Sequence, residues 1–217
     1  MTAFVVAIDG PAGSGKGTLA AALARRFGLA HLDTGRIYRA TAALVLHEGG
    51  DPADPETAAS AARRFGFSRL GDPGLRDEAV GRASSVIAAI PAVRAALLER
   101  QRSFAAHPPA PATGAVLDGR DIGTVVCPDA AVKLYITASA AERARRRAKE
   151  LRESGADAIY SAVLKDIEER DARDSGRRVA PLAAAPDAIE IDTTGLDPEA
   201  VLELASQHVT RALAARP

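Results

Sequence analysis

One cysteine, Cys127, in 217 residues leaves no partner for an intrachain disulfide and no cysteine-rich metal site, which fits a reducing compartment. The residue itself reads as a small, buried apolar side chain. No apolar stretch approaches the length of a membrane span, and the short run Phe4 to Ile8 lacks the basic flank of a signal peptide, so a cytoplasmic protein with no membrane partner is expected. Neither sign of charge is in excess, with 28 Lys and Arg against 28 Asp and Glu, which removes the whole-chain signature of polyanion binding and argues against nucleic acid as a partner. No internal repeat or low-complexity tract is evident. The composition, 47% hydrophobic and 26% charged, is enough for one sizeable core, or one core with a small inserted subdomain.

Against these absences one stretch stands out. Phe4 to Thr18, FVVAIDGPAGSGKGT, runs from a β-branched apolar segment into a glycine-rich turn that contains one lysine. Gly10-x-x-x-x-Gly15-Lys16 has the form of a phosphate-binding loop, with backbone N–H groups turned toward an anion, a lysine for the β- and γ-phosphates, and a helix N-terminus behind. Leu19, Ala20, Leu23, Ala24 and Phe27 repeat at helical spacing after it, so the strand, loop and helix that the motif requires are all present. The expected ATP contacts are Gly10, Pro11, Ala12, Gly13, Ser14, Gly15, Lys16, Gly17 and Thr18. Gly17 stands where a Ser or Thr would normally hold Mg²⁺, and the hydroxyl comes one residue later, at Thr18.

Further along, Leu29 to Asp33 reads as a strand, and Asp33-Thr34-Gly35 starts a helix on which Tyr38 and Arg39 sit close to the strand end. Glu56 to Phe65 is alanine-dense helix, and Gly66 to Gly74 is irregular with at most one short strand. Arg76 to Ile90 and Pro91 to Ala106 read as two helices, the second packing through Val93, Leu97, Leu98, Gln101 and Phe104. Taken alone, Ser85 and Arg94 on either side of Pro91 are solvated helix residues. Ala115 to Asp118 is a strand ending in a carboxylate, and Asp118 either orders the hydration shell of magnesium or caps the next helix. After the strand Ala131 to Thr137, the helix Ala140 to Glu153 carries Arg143, Arg145, Arg146 and Arg147, read as a solvated face because Glu142, Glu150 and Glu153 interrupt them. A polar Ser154–Asp157 break precedes Ile159 to Arg173, and Arg170, Arg173, Asp174 and Arg177 share one face if that helix persists. Ala188 to Asp192 is a last strand, and a closing helix from Asp197-Pro198-Glu199 docks through Val201, Leu204, Ala205, Val209, Ala212 and Leu213.

The alternation implies an α/β protein with a parallel sheet covered by helices on both faces. Five motifs in order, IDGPAGSGKGT, LDTGRIYRA, ASSVIAAIPAVRAALLERQR, LDGRDIGTVVCPDA and ERDARDSGRRVAPL, cover nearly the whole chain and resemble the bacterial cytidylate kinases of the P-loop nucleoside monophosphate kinase group. The resemblance implies ATP-dependent phosphoryl transfer to CMP or dCMP, with Mg²⁺ travelling with ATP, by a monomer. It implies catalytic roles for Lys16, Arg39, Arg120 and Arg177, the three arginines surrounding the acceptor phosphate. It implies Ser85, Arg94 and Asp121 at cytosine, Arg170 and Asp174 at the ribose, Thr34 beside the acceptor, and Thr18 and Asp118 near the metal. Residues 1–48, 91–153 and 178–217 would form the core, 49–90 a monophosphate-binding insertion and 154–177 a lid. Members of the family usually carry a small β-rich insertion, and here 66–78 looks about one hairpin shorter. The alternatives are a P-loop kinase for UMP, AMP or a hydroxyl metabolite, and a nucleotide-gated ATPase that binds RNA or protein through Arg143 to Arg147.

Overall fold

The computed structural model describes residues 3–153, 155 and 157–216. Strands Phe4–Asp9 (β1), Ala30–Asp33 (β2), Gly114–Gly119 (β3), Val132–Thr137 (β4) and Ile189–Asp192 (β5) form one parallel sheet in the order β2, β3, β1, β4, β5. Each crossover is long enough to return the chain to the same edge, as parallel pairing requires. The helices are Lys16–Phe27 (α1), Thr34–His47 (α2), Pro55–Arg64 (α3), Glu78–Ile87 (α4), Pro91–Ala106 (α5), Ala140–Glu153 (α6), Tyr160–Ser175 (α7) and Pro198–Ala214 (α8).

Strand alternation divides the core in two. Val6 and Ile8 of β1 point toward Leu23 of α1 and Ala205 and Val209 of α8, while Ala7 and Leu117 face Ile37 of α2 and Val93 and Leu97 of α5. A third, smaller cluster joins α6 to α7 through Ala144, Ala148, Val163 and Ile167. Among the described residues, no single helix is long and apolar enough to cross a membrane.

Local signals account for most boundaries. Asp33, Asp54 and Asp197 cap α2, α3 and α8 by accepting from Arg36, Thr57 and Ala200 N–H, and Gly28 ends α1 in the left-handed region at φ 65°. Several expectations need correction. The helix read from Arg76 begins at Glu78, because Asp72 and Pro73 set up a 3-10 turn over Pro73–Arg76, and it stops at Ile87 because Pro91 disfavours helical geometry at Ile90. A second 3-10 turn, Phe67–Gly71, occupies the stretch where a short strand was possible, so the shortened insertion is helical. Helix α7 ends at Ser175, which places Arg177 beyond it. Leu204 of α8 is 43% exposed, and Leu202 packs in its place. Cys127 is only half-buried, with its thiol pushed up to about 11 by burial. Of the predicted 154–157 break, Ser154 and Ala156 lie outside the described residues.

The carboxyl ends of three strands meet at one edge, where Asp9 lies opposite Gly119 and Asp33 opposite Asp118. Gly10 leaves β1 with φ 149°, and a Cβ there would come within 2.0 Å of the Ile136 carbonyl oxygen, so only glycine turns the chain into the loop at this point. Asp9, buried beneath it, accepts 2.7 Å hydrogen bonds from Ile122 and Gly123 N–H and so pins the π-helical turn Ile122–Val126 to the end of β1.

Burial pushes the Asp9 carboxyl up to about 6 from 3.8, even though both N–H groups draw it down. A carboxyl raised in the fold contributes stability that is fully present below its unfolded pKa and lost as pH rises through the folded value. The stability advantage of the parent over Asp9→Asn, measured by urea titration, should therefore shrink by roughly 2–3 kcal/mol between pH 4 and 7. A difference independent of pH would show that Asp9 titrates as an ordinary carboxyl.

Candidate active site

Helix α1 starts directly from Gly15, and among the described residues no side chain caps it and no acid sits in its first turn. Its unpaired N–H groups, on the positive end of the helix dipole, are left for an anion. Lys16 is buried, and its Nζ donates to the Pro11 carbonyl at 3.0 Å, curling over the loop. Gly10, Pro11 and Ser14 form the buried back of the loop, and Gly15 and Thr18 are exposed.

Beside the loop lies a cleft of about 240 Å³ lined by Ala12, Gly13, Lys16, Gly17, Thr34, Arg39, Ser85, Arg94, Asp118, Arg120, Asp121, Arg170, Asp174 and Arg177, with Asp33, Tyr38 and Ser84 among its other walls. Every residue expected at the acceptor is therefore on one surface, drawn from α2, α4, α5, the β3 end, α7 and the turn after it. Gly10, Pro11, Ser14, Gly15 and Thr18 are not part of that lining.

The cationic side is organised by Asp174, which is 1% exposed. Its Oδ2 accepts from Arg120 Nε at 2.8 Å, its Oδ1 accepts from Arg177, and Arg170 Nε stands 4.0 Å away. Burial alone would push the Asp174 carboxyl up, but the Arg120, Arg177 and Arg170 guanidinium groups outweigh it and hold the carboxyl below its ordinary value. Three cations share one anion, and the surplus shows at their neighbours: burial and Arg120 bring Arg170 down to about 9, and burial, with Arg120 next, brings Lys16 down to about 7. Arg39 donates to the Leu75 carbonyl at 2.9 Å, tying α2 to the 3-10 turn of the insertion.

At the other end Arg94 and Asp121 form a buried ion pair, with Arg94 also donating to the Ala88 carbonyl at 3.3 Å and lying 5.7 Å from the Tyr38 ring centre. Ser85 is buried beside them and accepts from Arg173 Nε at 3.4 Å. The reading of Ser85 and Arg94, taken alone, as solvated residues is thus overturned, because the bend at Pro91 turns both inward.

The arginine run of α6 is also not a uniform solvated face. Arg143 is buried and donates to the carbonyls of Ala12 and Ala138 and to both oxygens of Asp171 on α7, so one side chain joins loop, sheet edge and α7. Arg146 donates to Thr193, whose hydroxyl donates to the Ser14 carbonyl at 3.2 Å. Arg145 and Arg147 keep the solvated character expected of the run, paired to Glu142 and Glu150. Sequence reasoning missed Asp9, His31, Arg143, Arg146, Asp171 and Thr193. The only prior signal for Asp9 was its place between strand and loop, and nothing in the run distinguishes Arg143 from its neighbours.

A divalent ion accompanying the nucleotide fits this edge. A Cβ at Gly17 would stand 3.7 Å from Asp118 Oδ2, so the missing side chain leaves room beside a carboxylate oxygen, the donor type that magnesium and its water shell accept. Thr18, the other residue expected near the metal, is exposed and outside the cleft.

A family model described as cytidylate kinase matches residues 6–211. Among similar curated proteins, the cytidylate kinase of Rhodospirillum rubrum is 55% identical over 93% of this chain and 95% of its own length, and that of Rhodopseudomonas palustris is 51% identical over 98% and 99%. The solved structure of an uncharacterized protein from Eubacterium ventriosum covers 96% of this chain and 98% of its own with a TM-score of 0.56 at 12% identity, a likeness of fold alone. The P-loop kinase fold, the cleft at the carboxyl edge of its sheet and a family match over almost the whole length converge: the chain belongs to the cytidylate kinase family.

Proposed function

We propose that the cleft takes CMP or dCMP with its phosphate among Arg39, Arg120 and Arg177, its sugar by Thr34, Arg170 and Asp174, and its cytosine against Ser85, Arg94 and Asp121. The loop 10–18 takes the ATP phosphates. The reaction is transfer of the γ-phosphoryl group of ATP to a phosphate oxygen of the acceptor, giving CDP or dCDP. The observation that supports these placements best is the pairing, within one cleft, of a surplus of guanidinium groups around Asp174 with a separate buried Arg94–Asp121 pair. Forked donors suit phosphate oxygens, and a fixed cation and carboxylate side by side suit a base edge with both polarities.

The acceptor oxygen is already anionic, so no residue has to remove a proton. Catalysis consists of aligning two polyanions and offsetting the charge that spreads over the transferring group. Lys16 and the arginines do this from a buried position where water screens little. Burial, and after it the Arg120 charge, lowers the Lys16 pKa, and phosphate oxygens entering beside the ammonium favour its charged form. The divalent ion is Mg²⁺, with Asp118 touching its water shell and Thr18 near the phosphates; when bound it would neutralise phosphate charge. Among the described residues no three His, Cys, Asp or Glu side chains gather as a complete metal site, which supports an ion whose other ligands are phosphate oxygens and water.

In domain terms, residues 49–90 are the monophosphate-binding insertion and 154–177 the lid, set on a core of 1–48, 91–153 and 178–217. The lid excludes water from the transferring group. The acting unit is read as a cytoplasmic monomer.

Lys16→Met keeps the aliphatic stem in its buried seat and deletes the charge. It should lower kcat about a hundredfold or more with little change in thermal stability, since a transition-state clamp is lost. Near-normal turnover would end the loop assignment.

Cytosine offers an N4 donor and an unprotonated N3, and uracil the reverse, so Asp121 and Arg94 should favour CMP over UMP by several orders of magnitude in kcat/KM, at roughly 1–3 kcal/mol per matched contact. Asp121→Asn should narrow the ratio, because an amide presents either polarity. A parent ratio near one would leave a broader pyrimidine monophosphate kinase as the reading.

A further inference from the structure

The second carboxylate at the carboxyl edge of the sheet is held by a residue that the proposed substrate contacts leave without a role. His31 lies on β2 in register with Val116, and Asp33 on the same strand is in register with Asp118, so the side chains of His31, Asp33 and Asp118 stand on one side of the sheet. His31 Nε2 lies 2.7 Å from Asp118 Oδ1, with the carboxylate side chain 5% exposed. The main-chain oxygen of Asp118 is fixed separately, accepting from the Thr34 hydroxyl at 2.7 Å. With Oδ1 taken by the imidazole, Oδ2 is the oxygen that faces the open space at Gly17. Asp33 opposes this orientation, since the two carboxylates repel and burial with that repulsion raises the Asp33 pKa.

We infer that His31 is a positioning residue for phosphoryl transfer: by donating from Nε2 to Asp118 Oδ1 it keeps Oδ2 turned toward Gly17, where this loop lacks the hydroxyl that would otherwise meet the divalent ion. The inference rests on the proposed placement of Asp118 at the metal's water shell. An imidazole on an edge strand fixes the carboxylate through one hydrogen bond, and the glycine leaves the room that the hydrated ion fills. The two features are complementary, the one residue orienting an acceptor and the other clearing the space before it.

The test measures Mn²⁺ binding, by electron paramagnetic resonance, to the protein loaded with a non-hydrolysable ATP analogue, and the Mg²⁺ dependence of turnover beside it. His31→Leu should weaken Mn²⁺ binding and raise the half-saturating Mg²⁺ concentration about tenfold, the usual effect of losing a group that orients a metal-side carboxylate. KM for CMP should stay within about twofold, because His31 is not among the residues placed at the acceptor and the main chain of Asp118 stays held by the Thr34 hydroxyl. His31→Gln, whose side-chain amide can occupy the place of Nε2, should recover most of the loss. If the leucine variant does not fold, His31→Asn, a donor too short to reach, takes its place. Unchanged metal binding in the leucine or asparagine variant, or a glutamine variant no better than either, overturns the inference. Asp118→Asn separates the two roles: if it weakens Mn²⁺ binding while His31→Leu does not, only the role of His31 fails, and if neither does, the placement of Asp118 at the metal fails with it.

Discussion

Like charges gathered in a desolvated cleft repel, and the whole active-site edge of this protein is arranged around that constraint. Arg120, Arg170 and Arg177 are held together by the single buried carboxylate of Asp174, which satisfies two of them by direct hydrogen bonds and leaves the third at longer range. One anion among three cations is enough to keep the chain folded there and too little to neutralise the site. Burial first, and the excess of positive charge after it, makes the protonated forms of Arg170 and Lys16 less favourable. In the proposed placement a phosphorylated ligand completes the arrangement, so that affinity for polyanions would follow from an imbalance built into the fold, not from a strong individual contact.

The scaffold that tolerates this imbalance is strongly determined. Two apolar clusters clamp the sheet from both faces, and the carboxyl ends of β1, β2 and β3 are locked in register with Asp33 opposite Asp118 on one face and Asp9, opposite Gly119, on the other. Asp9 faces inward and serves the π-helical turn, while the other two carboxylates face the loop and Lys16. The polar edge is therefore split between a structural and a chemical use by strand pleat alone.

Much of this was legible in the sequence. The loop, the aspartate caps before α2 and α8, the two-faced sheet and the Pro91 helix start all rest on local rules, and the structure has them within a few residues. The five ordered motifs of the cytidylate kinase pattern pointed to the acceptor residues that line the cleft. What was not legible depends on contacts between distant segments. Arg94 on its own helix looks solvated, but the bend at Pro91 turns it inward, where it pairs with Asp121 from the segment after β3. Arg143 sits in a run of four arginine positions of nearly equal local appearance, and it is singled out by the Ala12 carbonyl and Asp171, partners separated from it by 131 and 28 residues. The 3-10 turns between Phe67 and Arg76 were not legible for a different reason: Pro73 and the short Asp72 and Asp77 turns settle into 3-10 geometry, which period and propensity do not separate from irregular chain.

The bridge made by Arg143 also limits how relatives of this chain can diverge. Its guanidinium is buried while the Asp171 side chain is 26% exposed, so replacing Asp171 alone leaves buried donors unpaired, and replacing Arg143 alone takes a donor from the Ala12 carbonyl. Substitution at 171 is therefore tied to 143: losing the carboxylate while keeping the cation is penalised, whereas losing the cation first leaves an aspartate that water reaches and an Ala12 carbonyl that needs a new donor. Positions far apart in sequence should drift as a pair, while Arg145 and Arg147 on the same helix remain free to vary singly.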